Sequence, residues 1–184
     1  DPPFGIYYNS LHYRDLDMEV RHDWTVSFDV YHTNLQRGTW VGLMDAAGEK
    51  GYYVEWSSGN NAAGSGFLRI RKVDRATPLD TWNEDETLIT AWPGPGSGHG
   101  VSDASMAAFE FSWVEESGVL TVTVDGSQRL TATDTSFSDF SRIYIKGNTS
   151  QYYDNIVVTT IPEPGTFAFG LVSVLGFVGR RRRP

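Results

Sequence analysis

The chain contains no cysteine. A disulfide framework, a thiolate nucleophile and a Cys-ligated zinc site are all excluded by that absence. Histidine is scarce, and His12, His22, His32 and His99 make no His-x-x-x-His pair of the kind that holds zinc on a helix. Gly94–Gly100 lacks both the Gly-Lys-Ser/Thr ending and the following helix of a phosphate loop. Neither Ser65 nor Ser97 sits in a Gly-x-Ser-x-Gly elbow. Positive charge is also short, with 15 Lys and Arg against 23 Asp and Glu and a net charge of −8. Four of those arginines are Arg180–Arg183, so the rest of the chain is more acidic still. Phosphate binding needs a basic surface, and an acidic body argues against nucleic acid as a partner. Apolar helical periodicity is missing until the last two dozen residues.

What the chain does have is strand alternation. Trp24–His32 (WTVSFDVYH) puts Trp24, Val26, Phe28 and Val30 on one side and Thr25, Ser27 and Asp29 on the other. Asp15–Val20 sets Asp15, Asp17 and Glu19 against Leu16, Met18 and Val20. Thr39–Asp45 and Gly51–Trp56 read as a hairpin about Ala46-Ala47-Gly48. Phe67–Val73 alternates Leu68 and Ile70 with Arg69 and Arg71, and Leu88–Trp92 is a further short strand. Ala107–Val114 and Val119–Val124 flank Glu115–Gly118, and Asp125-Gly126 joins the latter strand to Ser127–Asp134 as a hairpin turn. Arg142–Lys146 and Tyr153–Thr160 complete the set. Ser57–Ser65, Asp74–Thr87 and Pro93–Gly100 have loop composition. Ten or eleven short strands with closely spaced turns predict an all-β antiparallel sandwich in two packed layers.

The strands WTVSFDV, GYYVEW, LTVTVDG and YYDNIVV, which cover most of Trp24–Val158, resemble those of concanavalin A-like jelly rolls of the laminin-G, lectin and glucanase type. The resemblance implies a jelly-roll body, leaves its activity open, and makes calcium a candidate cofactor held by loop Asp and Asn oxygens. Asp154 and Asn155, with the loop acids Asp134 and Asp139, have that ligand type; nothing in the sequence requires a cofactor. For sugar stacking, Trp56, Trp82 and Trp92 stand at strand ends or in loops, as do Tyr52, Tyr53, Tyr152 and Tyr153. Trp24 and Trp113 alternate with polar residues and are expected in the core. The glucanases of this superfamily carry a Glu-x-Asp-x-(x)-Glu row, whereas Asp15-x-Asp17-x-Glu19 starts with Asp and precedes the jelly-roll strands. A solvated strand face accounts for that row, and no catalytic residue is assigned. A glycan-active hydrolase or lyase with an acidic cleft is the alternative function.

The single long hydrophobic run closes the chain as IPEPGTFAFGLVSVLGFVGRRRRP, Ile161–Pro184. Pro162, Glu163 and Pro164 form a turn through which neither helix nor strand can run. Gly165–Gly179 carries no charge, and its apolar side chains Phe167, Phe169, Leu171, Val172, Val174, Leu175, Phe177 and Val178 suit a membrane anchor. Fifteen residues as helix span about 22 Å, short of the roughly 30 Å hydrocarbon core, and arginine snorkelling recovers part of the deficit. Arg180, Arg181, Arg182 and Arg183 place that end in the cytoplasm.

This order of Pro-Glu-Pro, apolar helix and terminal arginines resembles the PEP-CTERM sorting signal of Gram-negative bacteria. The resemblance implies exosortase as processing partner, inner-membrane anchoring before cleavage, and release to the cell surface or extracellular matrix. Products of that family commonly associate with exopolysaccharide or biofilm matrix, which the resemblance implies here. Such substrates carry a secretion signal, and because Asp1-Pro2-Pro3 begins in mature-like sequence, the chain is expected to be processed or partial. The expected organisation is therefore a β-sandwich ectodomain over residues 1–160 and a sorting signal with a single transmembrane helix over residues 161–184. The expected function is that of a non-enzymatic, secreted or surface protein in contact with extracellular polysaccharide.

Overall fold

A computed structural model describes residues 4–6, 10–32, 39–57, 67–75, 87–91, 106–147 and 151–160. These residues form strands β1 (Phe4–Ile6), β2 (Ser10–Val20), β3 (Trp24–His32), β4 (Thr39–Met44), β5 (Lys50–Ser57) and β6 (Phe67–Asp74). They continue with β7 (Thr87–Ala91), β8 (Met106–Val114), β9 (Val119–Val124), β10 (Ser127–Thr133), β11 (Phe140–Gly147) and β12 (Gln151–Thr160). Sheet 1 has the order β1-β12-β3-β8-β9-β10 and sheet 2 the order β2-β11-β4-β5-β6-β7. Every pairing is antiparallel. Two meanders, β4–β7 in sheet 2 and β8–β10 in sheet 1, are tied together by strands distant in sequence, β3 with β12 and β2 with β11.

The expected sandwich is thus what the chain forms. The largest differences from the sequence reading are that β2 starts at Ser10, before Asp15, and that β1 was not foreseen; β11 and β12 also each begin two residues early, at Phe140 and Gln151. Among the described residues no helix is long and apolar enough to cross a membrane. The whole tail, with Pro162, Glu163, Pro164, the anchor residues and Arg180–Arg183, lies outside the described residues.

Alternation drives the packing. Along β8 and β9 every second side chain is buried, which places Phe109, Phe111, Trp113, Leu120, Val122 and Val124 in one core with Trp24, Val26, Phe28 and Val30 of β3. Trp24 meets Phe111 and Phe140 edge-on, at centroid distances of 5.1 and 5.6 Å, the geometry favoured by the ring quadrupoles. Tyr52, Val54, Trp56, Leu68, Ile70, Ile143 and Ile145 supply the other wall from sheet 2. Turn chemistry matches the hairpins: Asp125 and Gly126 both have positive φ, 50° and 72°, as a type I′ turn demands.

The outer face of sheet 1 is polar. Its register lines up Thr159, Thr25, Ser112, Thr121 and Thr131 as one hydroxyl row across five strands. Sheet 2 is different. In β11 every residue from Ile143 to Gly147 is buried, and in β5 every residue from Gly51 to Trp56. The outward-facing residues of these two strands are therefore largely buried as well, and that side is where the chemistry collects.

Candidate functional site

The register of sheet 2 sorts its outer side chains into three rows. The first runs Lys146, Trp40, Glu55, Arg69 across β11, β4, β5 and β6. The second runs Tyr13, Tyr144, Gly42, Tyr53, Arg71, starting from β2. The third runs Asp15, Arg142, Met44, Gly51, Val73. Because side chains alternate, each of these residues points away from its core-facing neighbours.

The second and third rows carry a small apolar cluster of their own, made of Met44, Tyr53, Val73 and Tyr144 with Tyr13 and Trp40 packed against it. Tyr13 and Tyr144 lie 5.6 Å apart, and Tyr144 and Tyr53 also 5.6 Å. Tyr144 and Tyr53 are two strands apart, and their rings meet because Gly42 between them has no side chain. A Cβ there would fall 2.5 Å from that of Tyr53 and 2.0 Å from the Tyr52 carbonyl oxygen.

The first row holds the two buried charges. Glu55 is only 6% exposed and Lys146 8%. The Arg71 Nε–H donates to Glu55 Oε2 at 2.5 Å, and an Arg69 guanidinium nitrogen lies 3.7 Å from the same oxygen. Two guanidinium groups of β6 thus converge on one carboxylate oxygen. The Lys146 ammonium lies 4.8 Å from the centre of the Trp40 ring, and the Arg69 guanidinium 4.2 Å from that of Phe67. Both cation–π contacts hold their partners in place on the sheet. Trp40 and Phe67 are half-buried. The face therefore offers flat apolar rings beside forked donors and one carboxylate acceptor.

The sequence-derived candidates fall elsewhere. Trp56 was expected as an exposed platform, and this is corrected: it is 1% exposed and packs against Phe109 at 5.5 Å inside the sandwich. It shares the inward parity of Tyr52 and Val54, and its nearness to a loop in sequence does not alter that parity. Tyr52, Tyr53 and Tyr153 are likewise buried rather than loop-borne. Trp82 and Trp92 lie outside the described residues. Trp24 and Trp113 are in the core as expected.

Asp154 and Asn155 form a β-bulge. The register with β3 shifts between Asp154 and Val157, and Asn155 takes a φ of 51°. The Asn155 side-chain amide donates to Asp29 Oδ2 at 2.7 Å, and its backbone N–H to Asp154 Oδ1 at 2.8 Å. Among the described residues, no group of three or more His, Asp and Glu converges as a metal site.

The acid row is solvated. Asp15, Asp17 and Glu19 are exposed, with Asp15 paired to Arg142 at 2.5 Å and Glu19 to Arg21 at 2.8 Å. Asp139 faces Arg21 at 3.5 Å.

Asp134 has a structural role. It accepts from Tyr52 Oη at 2.6 Å, Lys72 Nζ at 2.8 Å and the Ser136 N–H at 2.8 Å, while Tyr52 Oη accepts from the Phe137 N–H at 3.2 Å. Burial pushes the Asp134 carboxyl up, but the hydrogen bonds from Lys72, Tyr52 and Ser136 outweigh it and hold the group well below the usual carboxylate range. Burial, then the Asp134 hydrogen bond, push the Tyr52 phenol well above its ordinary value. This latch pins the β10–β11 connection to sheet 2.

A cleft of about 870 Å³ also opens between β2 and β12, where Leu16, Val20, Ile143 and Ile156 line it together with His12, Arg14 and the row acids Asp15 and Asp17.

No protein-family model matches the chain, and no curated protein sequence matches it. Solved structures do. The carbohydrate binding module CBM66 from Bacillus subtilis superposes with a TM-score of 0.62 at 9% identity, over 86% of this chain and 92% of that one. Lactose- and MES-liganded congerin II gives 0.56 at 5%, over 82% and 100%. CG-16, a homodimeric agglutinin from chicken liver, gives 0.55 at 9%, over 82% and 100%. At these identities the likeness is one of fold: the described residues form a jelly-roll-like sandwich of the lectin type.

Proposed function

We propose that this protein is a non-enzymatic carbohydrate-binding protein and that the outer face of sheet 2 is its binding surface. The observation that carries the reading is the first row, where the half-buried Trp40 stands next to Glu55 and its two arginines. A sugar ring presents an apolar face for stacking and paired hydroxyls at its edge. Trp40 meets the first need, and the fixed Glu55–Arg71–Arg69 donors and acceptor meet the second. The fold shared with a carbohydrate binding module and a lactose-liganded congerin supports the same ligand class. The test is retardation of the full chain in native gels cast with soluble polysaccharides. Binding without turnover, lost in Trp40→Ala, supports the proposal. Turnover of the polysaccharide, abolished by Asp17→Asn or Glu19→Gln, would replace it with the hydrolase or lyase alternative.

The routing belongs to the same proposal. The Pro162-Glu163-Pro164 turn, apolar run and Arg180–Arg183 are supported by their order and spacing as a PEP-CTERM signal. An exosortase would then cut the anchor in the inner membrane of a Gram-negative cell and free the sandwich for the surface or matrix. Extracellular polysaccharide is the ligand such a location offers.

A further inference from the structure

We infer that the cleft between β2 and β12 is a second binding site, for an aliphatic chain that ends in a carboxylate. It is separate from the outer face of sheet 2 and does not depend on the carbohydrate reading. The cleft lies on the open side of the sandwich. β2 is the last strand of sheet 2, and β1 covers β12 only opposite Gln151–Tyr153. Among the described residues no strand runs along that edge of β12 beyond Tyr153. The opening measures about 870 Å³, within the range of small-molecule sites. Ile143 and Ile145, both buried, form its floor, and Leu16, Ile156 and Val158 its walls. The β-bulge between Asp154 and Val157 leaves Ile156 without a partner on β3, and Ile156 lines the cleft.

These walls offer no hydrogen bonds to water, so filling the slot with hydrocarbon is favourable. Branched side chains on both sides suit a flexible chain, since the two sheets stand only about 10 Å apart. The charged end follows from strand parity. His12 pairs with Ile145 and Arg14 with Ile143, so both share the inward side of those isoleucines. Asp15 and Asp17 also border the cleft, but they alternate with Arg14 and Leu16 along β2 and belong to the opposite side. Asp15 is in addition held by Arg142 at 2.5 Å. The cation, and not the acids, therefore faces the apolar walls. Arg14 is exposed and has no ion-pair partner among the described residues. Its planar fork matches a carboxylate bidentately, which sets the head of the ligand beside β2 and its chain against Ile143 and Ile156.

The test titrates the full chain by calorimetry with decanoate, dodecanoate, tetradecanoate and dodecanol, all below their micelle-forming concentrations. Binding should saturate, and each added methylene should tighten Kd about fourfold until the chain outgrows the cleft. Dodecanoate should bind at least about tenfold more tightly than dodecanol, as expected for one charge-assisted contact. Arg14→Gln should weaken dodecanoate binding about tenfold, and Ile156→Trp should fill the slot and abolish it. Folding of each variant is checked by circular dichroism, and Arg14→Gln, at an exposed position, decides alone should Ile156→Trp misfold. No saturable binding overturns the inference, as it would if the chain's own apolar run or a second copy held the cleft. Equal affinity for dodecanoate and dodecanol overturns the carboxylate head and with it the inference. Binding untouched by Arg14→Gln and Ile156→Trp places the amphiphile elsewhere and also overturns it.

Discussion

Tyr53 and Tyr144, on strands that do not pair with each other, bring their rings to 5.6 Å over the bare backbone of Gly42. Gly42→Ala should separate them, because the new Cβ would lie 2.0 Å from the Tyr52 carbonyl oxygen. Overpacking of this kind costs about 1–3 kcal/mol, to be read from urea melts. An unchanged melting curve would show that the face relaxes freely.

Trp40 and Trp56 face opposite sides of sheet 2, half-buried outside and fully buried inside respectively. Trp56→Ala should destabilise the fold by about 3–5 kcal/mol. Trp40→Ala should leave stability within about 1 kcal/mol and abolish polysaccharide retardation. Reversal of that contrast in paired melting and binding assays would move the binding surface off this face.

The Asp134 latch sets a pH dependence. The folded carboxyl is held below its usual range, so its stabilisation is present at neutral pH. That stabilisation is lost as pH falls below the unfolded-state value of about 4. Tyr52 is raised, so its contribution is complete below about pH 10 and declines as the unfolded phenol ionises above that. Asp134→Asn should flatten the acid limb of a stability profile. Tyr52→Phe should cost about 1–3 kcal/mol at neutral pH, since it strips a donor from Asp134 and an acceptor from the Phe137 N–H.

Glu19→Gln should shift stability by less than about 0.5 kcal/mol, because its ion pair with Arg21 is solvent-exposed. A larger loss in a chemical melt would give the acid row a structural part.

Alanines at Pro162, Glu163 and Pro164 should leave the protein uncleaved in the inner membrane, as followed by fractionation and blotting. Release at the normal size would sink the exosortase route.

The alternation in Trp24–His32, Ala107–Val114 and Val119–Val124 is a direct readout of a sheet with one wet face, so these three strands of sheet 1 were legible residue by residue. The Asp125-Gly126 hairpin was legible for a similar reason, since its φ values demand those residue types. Sheet 2 was not. In GYYVEW both faces carry large groups, and Tyr52, Val54 and Trp56 cannot be told from Tyr53 and Glu55 until the opposite sheet selects one set as core. That ambiguity is why Trp56 was mistaken for a platform and Trp40 and Tyr144 were passed over. The arginines opposite Leu68 and Ile70 were visible as an outward pair, but not what they would grip.

By itself the sequence determined the class of architecture, the turns, and the tail's pattern of proline, apolar run and arginines, because these depend on neighbours a few residues apart. The tertiary structure decided the site. Lys146, Trp40, Glu55 and Arg69 come from four strands and are separated by up to about a hundred residues, yet strand register sets them in one row. Register is a cooperative property of the whole sheet, selected by which face buries the larger apolar surface, and no local stretch of chain encodes it.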